Sequence, residues 1–225
     1  MKKTIFEIVS LTVQTIFFLI IGFVFVEPAV SLGAQNTLLI GQTVTSEVAF
    51  SATAANITLT PSLNASTGGT ADGGTQVIVA TNNSLGYLMT ITASSSVGMI
   101  GIASTTNSIP AYVPATPGLP DYVFTVPANT AYFGYTVEAS TTADLATSFK
   151  DAAGACNSVG GGDTAESCWL NASTTAYTIV NRGSQTVASG ATTTLKFRVV
   201  INANPSPIIP NDTYRATTTL TATAN

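Results

Sequence analysis

The sequence predicts an all-β protein: an antiparallel β-sandwich, Ig-like or jelly-roll-like, of about nine or ten strands, preceded by an N-terminal hydrophobic helix. Three observations predict it. In the last quarter, Leu195, Phe197, Val199 and Ile201 alternate with Lys196, Arg198, Val200 and Asn202. Tyr214, Ala216, Thr218, Leu220 and Ala222 then alternate with Thr213, Arg215, Thr217, Thr219 and Thr221. A period of two over such lengths marks strands with one face buried and one wet. Second, the 45% of hydrophobic residues is set among 38 threonines, a mixture that fits pleated, half-buried strands. Third, clusters of Pro, Gly and Asn punctuate the chain at the spacing of turns.

The N-terminal segment comes first. Lys2 and Lys3 precede an uncharged run of 19 residues, 8–26. Small residues follow, and cleavage after Ser31, with Ala29 three places from the cut, satisfies the small-residue rule for a signal peptide. Cleavage after Ala34 fits less well, because it puts Leu32 at that place. The run is also long enough to span a bilayer, so a retained anchor through residues 4–26, with the body outside, stays open. Residues 1–34 are thus read as signal peptide or anchor, and 35–225 as one domain. A hydrophobic N-terminal helix with one early acid, Glu7, followed by a β head also looks like a type IV pilin. The glycine that such proteins carry before the mature N-terminus is missing here.

In the body, residues 37–40 and 43–51 read as strands, and 56–61 as a short strand ended by Pro61. Residues 62–74, rich in small residues and Gly, read as a loop. Residues 76–81 and 87–92 flank Asn82-Asn-Ser-Leu-Gly86, a hairpin signal. The stretch 94–121, with Pro110, Pro114, Pro117 and Pro120, reads as a stiff connection with at most short edge strands. Residues 122–126 and 131–138 resume the β pattern, residues 142–153 allow a helical turn or two, and residues 176–180 form a further strand. The two C-terminal runs, joined through Pro205, Pro207 and Pro210, read as neighbouring antiparallel strands.

Composition excludes several functions. With 8% charged residues, a net charge of −4 and scattered cations, the chain lacks the basic stripe that nucleic acid requires. It has no histidine, which removes the Ser-His and Cys-His nucleophiles and the commonest metal ligand. No phosphate loop or nucleophile elbow is present, and the sequence points away from an enzyme and from any cofactor. Only two acids brought together in a cleft would revive a hydrolase.

Cys156 and Cys168, the only cysteines, read as a disulfide of an exported protein that pins a flexible surface loop. A redox pair would need closer spacing. Trp169 beside them reads as a packing anchor rather than a ligand platform. Asp72, Asp163, Glu166 and Asp212 fall in turn-rich stretches where Ca²⁺ finds oxygens, yet no Asp-x-Asp-x-Asp spacing occurs and solvated loop acids are the plainer reading. Asn56, Asn64, Asn82, Asn171 and Asn211 stand in Asn-x-Ser/Thr triplets, acceptors only in a host that glycosylates exported chains. Tyr112, Tyr122, Tyr132, Phe133 and Tyr135 offer either a sugar-binding face or core and cross-strand packing.

Residues 82–93 (Asn-Asn-Ser-Leu-Gly-Tyr-Leu-Met-Thr-Ile-Thr-Ala) and 210–223 (Pro-Asn-Asp-Thr-Tyr followed by alternating Thr) resemble segments of WxL-type, Thr-rich bacterial cell-surface β-sandwiches. Asp212 stands where those proteins carry Gly, and Trp169-Leu-Asn171 does not reproduce their Trp-x-Leu signature. The resemblance implies a secreted, envelope-associated structural protein and transfers no catalytic residue. The functional expectation is a secreted or cell-surface, filament-forming subunit that binds its own copies or other envelope proteins through strand edges. Residues 35–50 are the expected donor. A carbohydrate-binding adhesin with glycan partners and a pilin-like subunit are the alternatives.

Overall fold

The computed structural model describes residues 38–225, so the expected hydrophobic helix and the segment 1–34 lie outside the described residues. Val44–Asn225 forms one compact unit. Its strands are β1 (Val48–Ala52), β2 (Gly69–Thr81), β3 (Tyr87–Ala93), β4 (Gly98–Gly101), β5 (Ser108–Pro110), β6 (Ala131–Ala139), β7 (Asp151–Ala152), β8 (Ala155–Cys156), β9 (Leu170–Asn171), β10 (Tyr177–Arg182), β11 (Ala191–Ile201), β12 (Tyr214–Arg215) and β13 (Thr218–Ala224). The described protein is all-β, with antiparallel sheets. It holds more strands than the alternation signals, because several are two- or three-residue pairings too short to carry a period.

The largest sheet runs β1-β2-β11-β6-β9, and a second runs β10-β3-β13. β11 is the centre of the first, paired over its whole length with β2 and over nine residues with β6. Its inward side chains Leu195, Phe197 and Val199 stand opposite Val137, Tyr135 and Phe133 of β6. Tyr87, Met89 and Ile91 of β3 and Ile179 of β10 meet these residues in one shared core. Burying such side chains contributes about 1.5–3 kcal/mol each before the entropy of ordering them. The smaller sheets β12-β4-β5 and β7-β8 flank this body.

Two expected pairings are corrected. The C-terminal runs are not neighbours: β11 sits between β2 and β6, whereas β13 pairs with β3 in the other sheet. Likewise β2 and β3 do not form a hairpin, because residues 82–86 cross from one sheet to the other. In both cases a strand and its successor each place one apolar face in the same core. A hairpin and a crossing between sheets therefore leave the same alternation.

Three local readings also change. Residues 69–74, expected as loop, are the first half of β2, since pairing with the complete length of β11 overrides the weak β-propensity of glycine. Their missing side chains leave room for others: a Cβ on Gly73 would lie 2.8 Å from Leu59 Cδ2. Residues 56–59 form no strand, and Thr60 touches Asp72 in an isolated bridge. Residues 122–126 are irregular, as are the described residues of 37–40. The helical turns expected in 142–153 are two 3-10 turns, Thr142–Asp144 and Thr147–Phe149.

Candidate interaction edge

One cluster of charged residues lies on the outer face of the large sheet. Lys196 and Arg198 alternate with the buried side chains of β11 and so point away from the core. Arg198 Nε donates to Asp72 Oδ1 at 2.6 Å and its Nη2 to Glu166 Oε2 at 2.9 Å. Lys196 Nζ lies 2.7 Å from Glu138 Oε1 and 3.9 Å from Glu166 Oε1. Burial pulls the Arg198 pKa down, but the contacts with Asp72 and Glu166 outweigh it and raise the value. The guanidinium also lies over Trp169, 4.4 Å from the ring centroid.

Trp169 is 1% exposed and packs edge-on against Phe124, which stacks on Tyr112 at 4.5 Å. Its Nε1 donates to Glu166 O at 2.7 Å. This aromatic layer covers the sheet at Gly134, the cross-strand partner of Arg198. A Cβ there would stand 2.8 Å from Phe124 Cε2 and 2.9 Å from Leu170 O. Trp169 is a packing anchor, as its sequence context suggests. The contact with Arg198 has no signal in the sequence, because 29 residues separate the pair.

Cys156 and Cys168 form the expected disulfide, with an S–S distance of 2.07 Å. Cys168 is 1% exposed and belongs to the core, so the bond anchors the surface loop to the body. Asp151, ahead of the loop, accepts from Thr164 N and Thr164 Oγ1 within it, both at 2.8 Å.

The four candidate calcium acids are each taken up by the fold. Asp72 and Glu166 hold Arg198. Asp163 Oδ2 accepts Ala139 N–H at 3.0 Å, and desolvation raises its pKa, helped by the charges of Glu138 and Asp151. Asp212 accepts the N–H groups of Ala103, Ser104 and Thr213 and the Asn107 amide, and these bonds, led by that of Ala103, lower its pKa. They are neither gathered into one site nor merely solvated. No group of three or more acid or cysteine side chains suited to a metal occurs among the described residues.

The tyrosines do not share a face. Phe133 and Tyr135 enter the core. Tyr112 lies under the outer aromatic layer, with its hydroxyl donating to Asp121 Oδ2 at 2.6 Å, and Tyr132 meets its edge. Tyr122 packs half-buried against the core. Of the sequons, Asn56, Asn64 and Asn211 are exposed and Asn171 is half-buried. Asn82 is exposed as well, but its amide is engaged at both ends, accepting Glu47 N–H at 2.7 Å and donating to Thr45 O at 2.9 Å.

The open feature is the side of the body where both main sheets end. β1 and β13 are the terminal strands of their sheets and lie beside each other without pairing. Their inward side chains Val48, Phe50, Leu220 and Ala222 are only partly buried. On β13, Ser94 N donates to Thr217 O at 2.9 Å and Asn225 N to Gly86 O at 3.3 Å, one at each end of the ladder with β3. That fixes the parity: the main-chain groups of Thr219, Thr221 and Thr223 turn toward β3, and those of Thr218, Leu220 and Ala222 turn outward. No charged residue or proline interrupts β13.

No family model and no curated protein matches this chain. The edge must therefore be interpreted on its own chemistry. A row of outward-turned N–H and C=O groups binds extended backbone. A shallow groove of about 230 Å³ near the start of β13, lined by Gly98, Ile100, Ile102, Arg215 and Thr217 among others, is open to solvent and brings no acid pair together. Just before β1, Leu38, Leu39, Ile40 and Val44 are 78%, 92%, 84% and 79% exposed.

Proposed function

We propose that the chain is an exported cell-envelope protein with a β-sandwich body, and that it acts structurally, without catalysis, by adding strands between copies at its open edge. The observation that carries this reading is the combination of two adjacent edge strands, each paired on one side only and uncharged along β13, with an exposed apolar segment that precedes β1 in the sequence. Natural edges are blunted by charge, proline or a covering element. β13 has none of the first two, and large apolar side chains left in water favour association. The disulfide supports an oxidising compartment. Among the described residues no helix is long and apolar enough to cross a membrane.

The expected donor, residues 35–50, narrows, because Val48–Phe50 is already part of β1 and paired with β2. The test is the deletion of residues 35–42 from the full-length chain, followed by sedimentation velocity and electron microscopy. Loss of assembly with an unchanged circular dichroism spectrum is expected. Polymers formed by the deletion variant would remove the donor role.

A further inference from the structure

Resting on that self-association reading, we infer that the acceptor is the open edge of β13 and that its occupant is the segment 38–44 of a second copy. The two sequences match face for face. On β13, Leu220 and Ala222 point inward, while Thr219, Thr221 and Thr223 point to solvent. In an extended segment 38–44, Leu38, Ile40 and Val44 fall on one face with Gln42, and Leu39, Gly41 and Thr43 on the other. Seated beside β13, the first face continues the partly buried row of Leu220 and Ala222 and covers Val48 and Phe50 of the adjoining β1. The second continues the neutral solvent face. Neither strand carries a charge, so no like-charge pair opposes the contact and no ion pair is left to desolvate.

β13 is favoured over β1 by its main chain. Its outward groups at Thr218, Leu220 and Ala222 have no hydrogen-bond partner among the described residues. β1 is five residues long, and its ladder with β2 is irregular between Phe50 and Ala52. A bulge twists an edge away from further pairing.

The parity gives a selective disruption. Proline at 222 removes an N–H that faces the open edge, whereas proline at 221 removes one that bonds β3. In the full-length chain, Ala222→Pro is expected to abolish assembly while lowering the melting temperature by no more than about 5 °C. Thr221→Pro is expected to lower it further. Assembly of Ala222→Pro at the parent concentration would overturn the inference.

Cysteine cross-linking is the second arm and does not depend on proline being tolerated. Chains carrying Thr43→Cys are mixed with chains carrying Thr219→Cys, Thr221→Cys or Thr223→Cys. Oxidation is expected to link separate chains through at least one of these pairs. Linkage of Thr43→Cys only to Ala49→Cys on β1 would overturn the acceptor assignment and leave self-association standing. In a chain that carries Thr43→Cys together with one of these cysteines, linkage within one monomer would overturn it by making the segment fold on its own edge. A parent chain that stays monomeric would remove the function reading itself.

Discussion

Arg198 and Trp169 form a stacked pair on the outer face of the large sheet, with the guanidinium 4.4 Å from the ring centroid and held in place by Asp72 and Glu166. The contact joins β11 to the segment that follows the disulfide. Lysine keeps the charge but loses both the planar stack and the two-way hydrogen bonding. Arg198→Lys is expected to lower stability by about 1–2 kcal/mol. Trp169 is the sole tryptophan, so a red shift of its emission in the folded variant reports the opened contact directly. Unchanged emission and stability would show that the stack contributes nothing.

Gly134 sits where the aromatic layer comes nearest to β6. A methyl group there meets Phe124, Leu170 O and Tyr112 Cβ, all within about 3.0 Å, so Phe124 must move. Gly134→Ala is expected to cost about 1–3 kcal/mol by overpacking, although alanine suits a strand better than glycine. Denaturant unfolding measures the loss. A gain in stability would mean that the layer yields freely.

Reduction of the Cys156–Cys168 bond frees a loop with a sequence separation of 12. The chain-entropy estimate for such a loop is about 3 kcal/mol. In a chain of this size that corresponds to a fall in melting temperature of roughly 6–12 °C. Thermal melts with and without reductant test it, and Trp169 emission follows the neighbouring structure.

Asp163 and Asp212 give opposite pH dependences. Burial raises the Asp163 value, so the folded state binds its proton more tightly than the unfolded state. Its contribution to stability is greatest in acid and declines as pH rises from the ordinary value of about 3.9 through the raised one. Asp212 is lowered by the N–H groups it accepts, so its contribution is present above the ordinary value and is lost as pH falls through the lowered one. Asp163→Asn is therefore expected to gain stability relative to the parent near neutrality and to lose that advantage in acid. Asp212→Asn should weaken amide protection at Ala103 and Ser104 near neutrality. Carboxyl titration by NMR checks both directions.

The all-β class, the strands around Phe197 and Tyr135, the disulfide and the packing role of Trp169 were legible in the residues. Each rests on a local cause: a period of two, an apolar face, a pair of thiols or a large ring. Which strand pairs with which was not legible. β11 and β13, like β2 and β3, carry the pattern of a hairpin, and only the shared core sends the members of each pair into different sheets. The glycine-rich start of β2 reads as a loop until a complete partner strand satisfies its backbone.

The sequence by itself determined the alternation, the low charge and the β-prone apolar segment before β1, because these depend on side-chain chemistry and near neighbours alone. Tertiary structure decided that Asp72, Glu166 and Trp169 converge on Arg198, and that β1 and β13 end side by side. Those relationships join residues far apart in the chain, more than 160 positions in the case of β1 and β13. No local preference encodes them: they arise when two sheets bury their apolar faces against each other and leave one pair of edges unpaired.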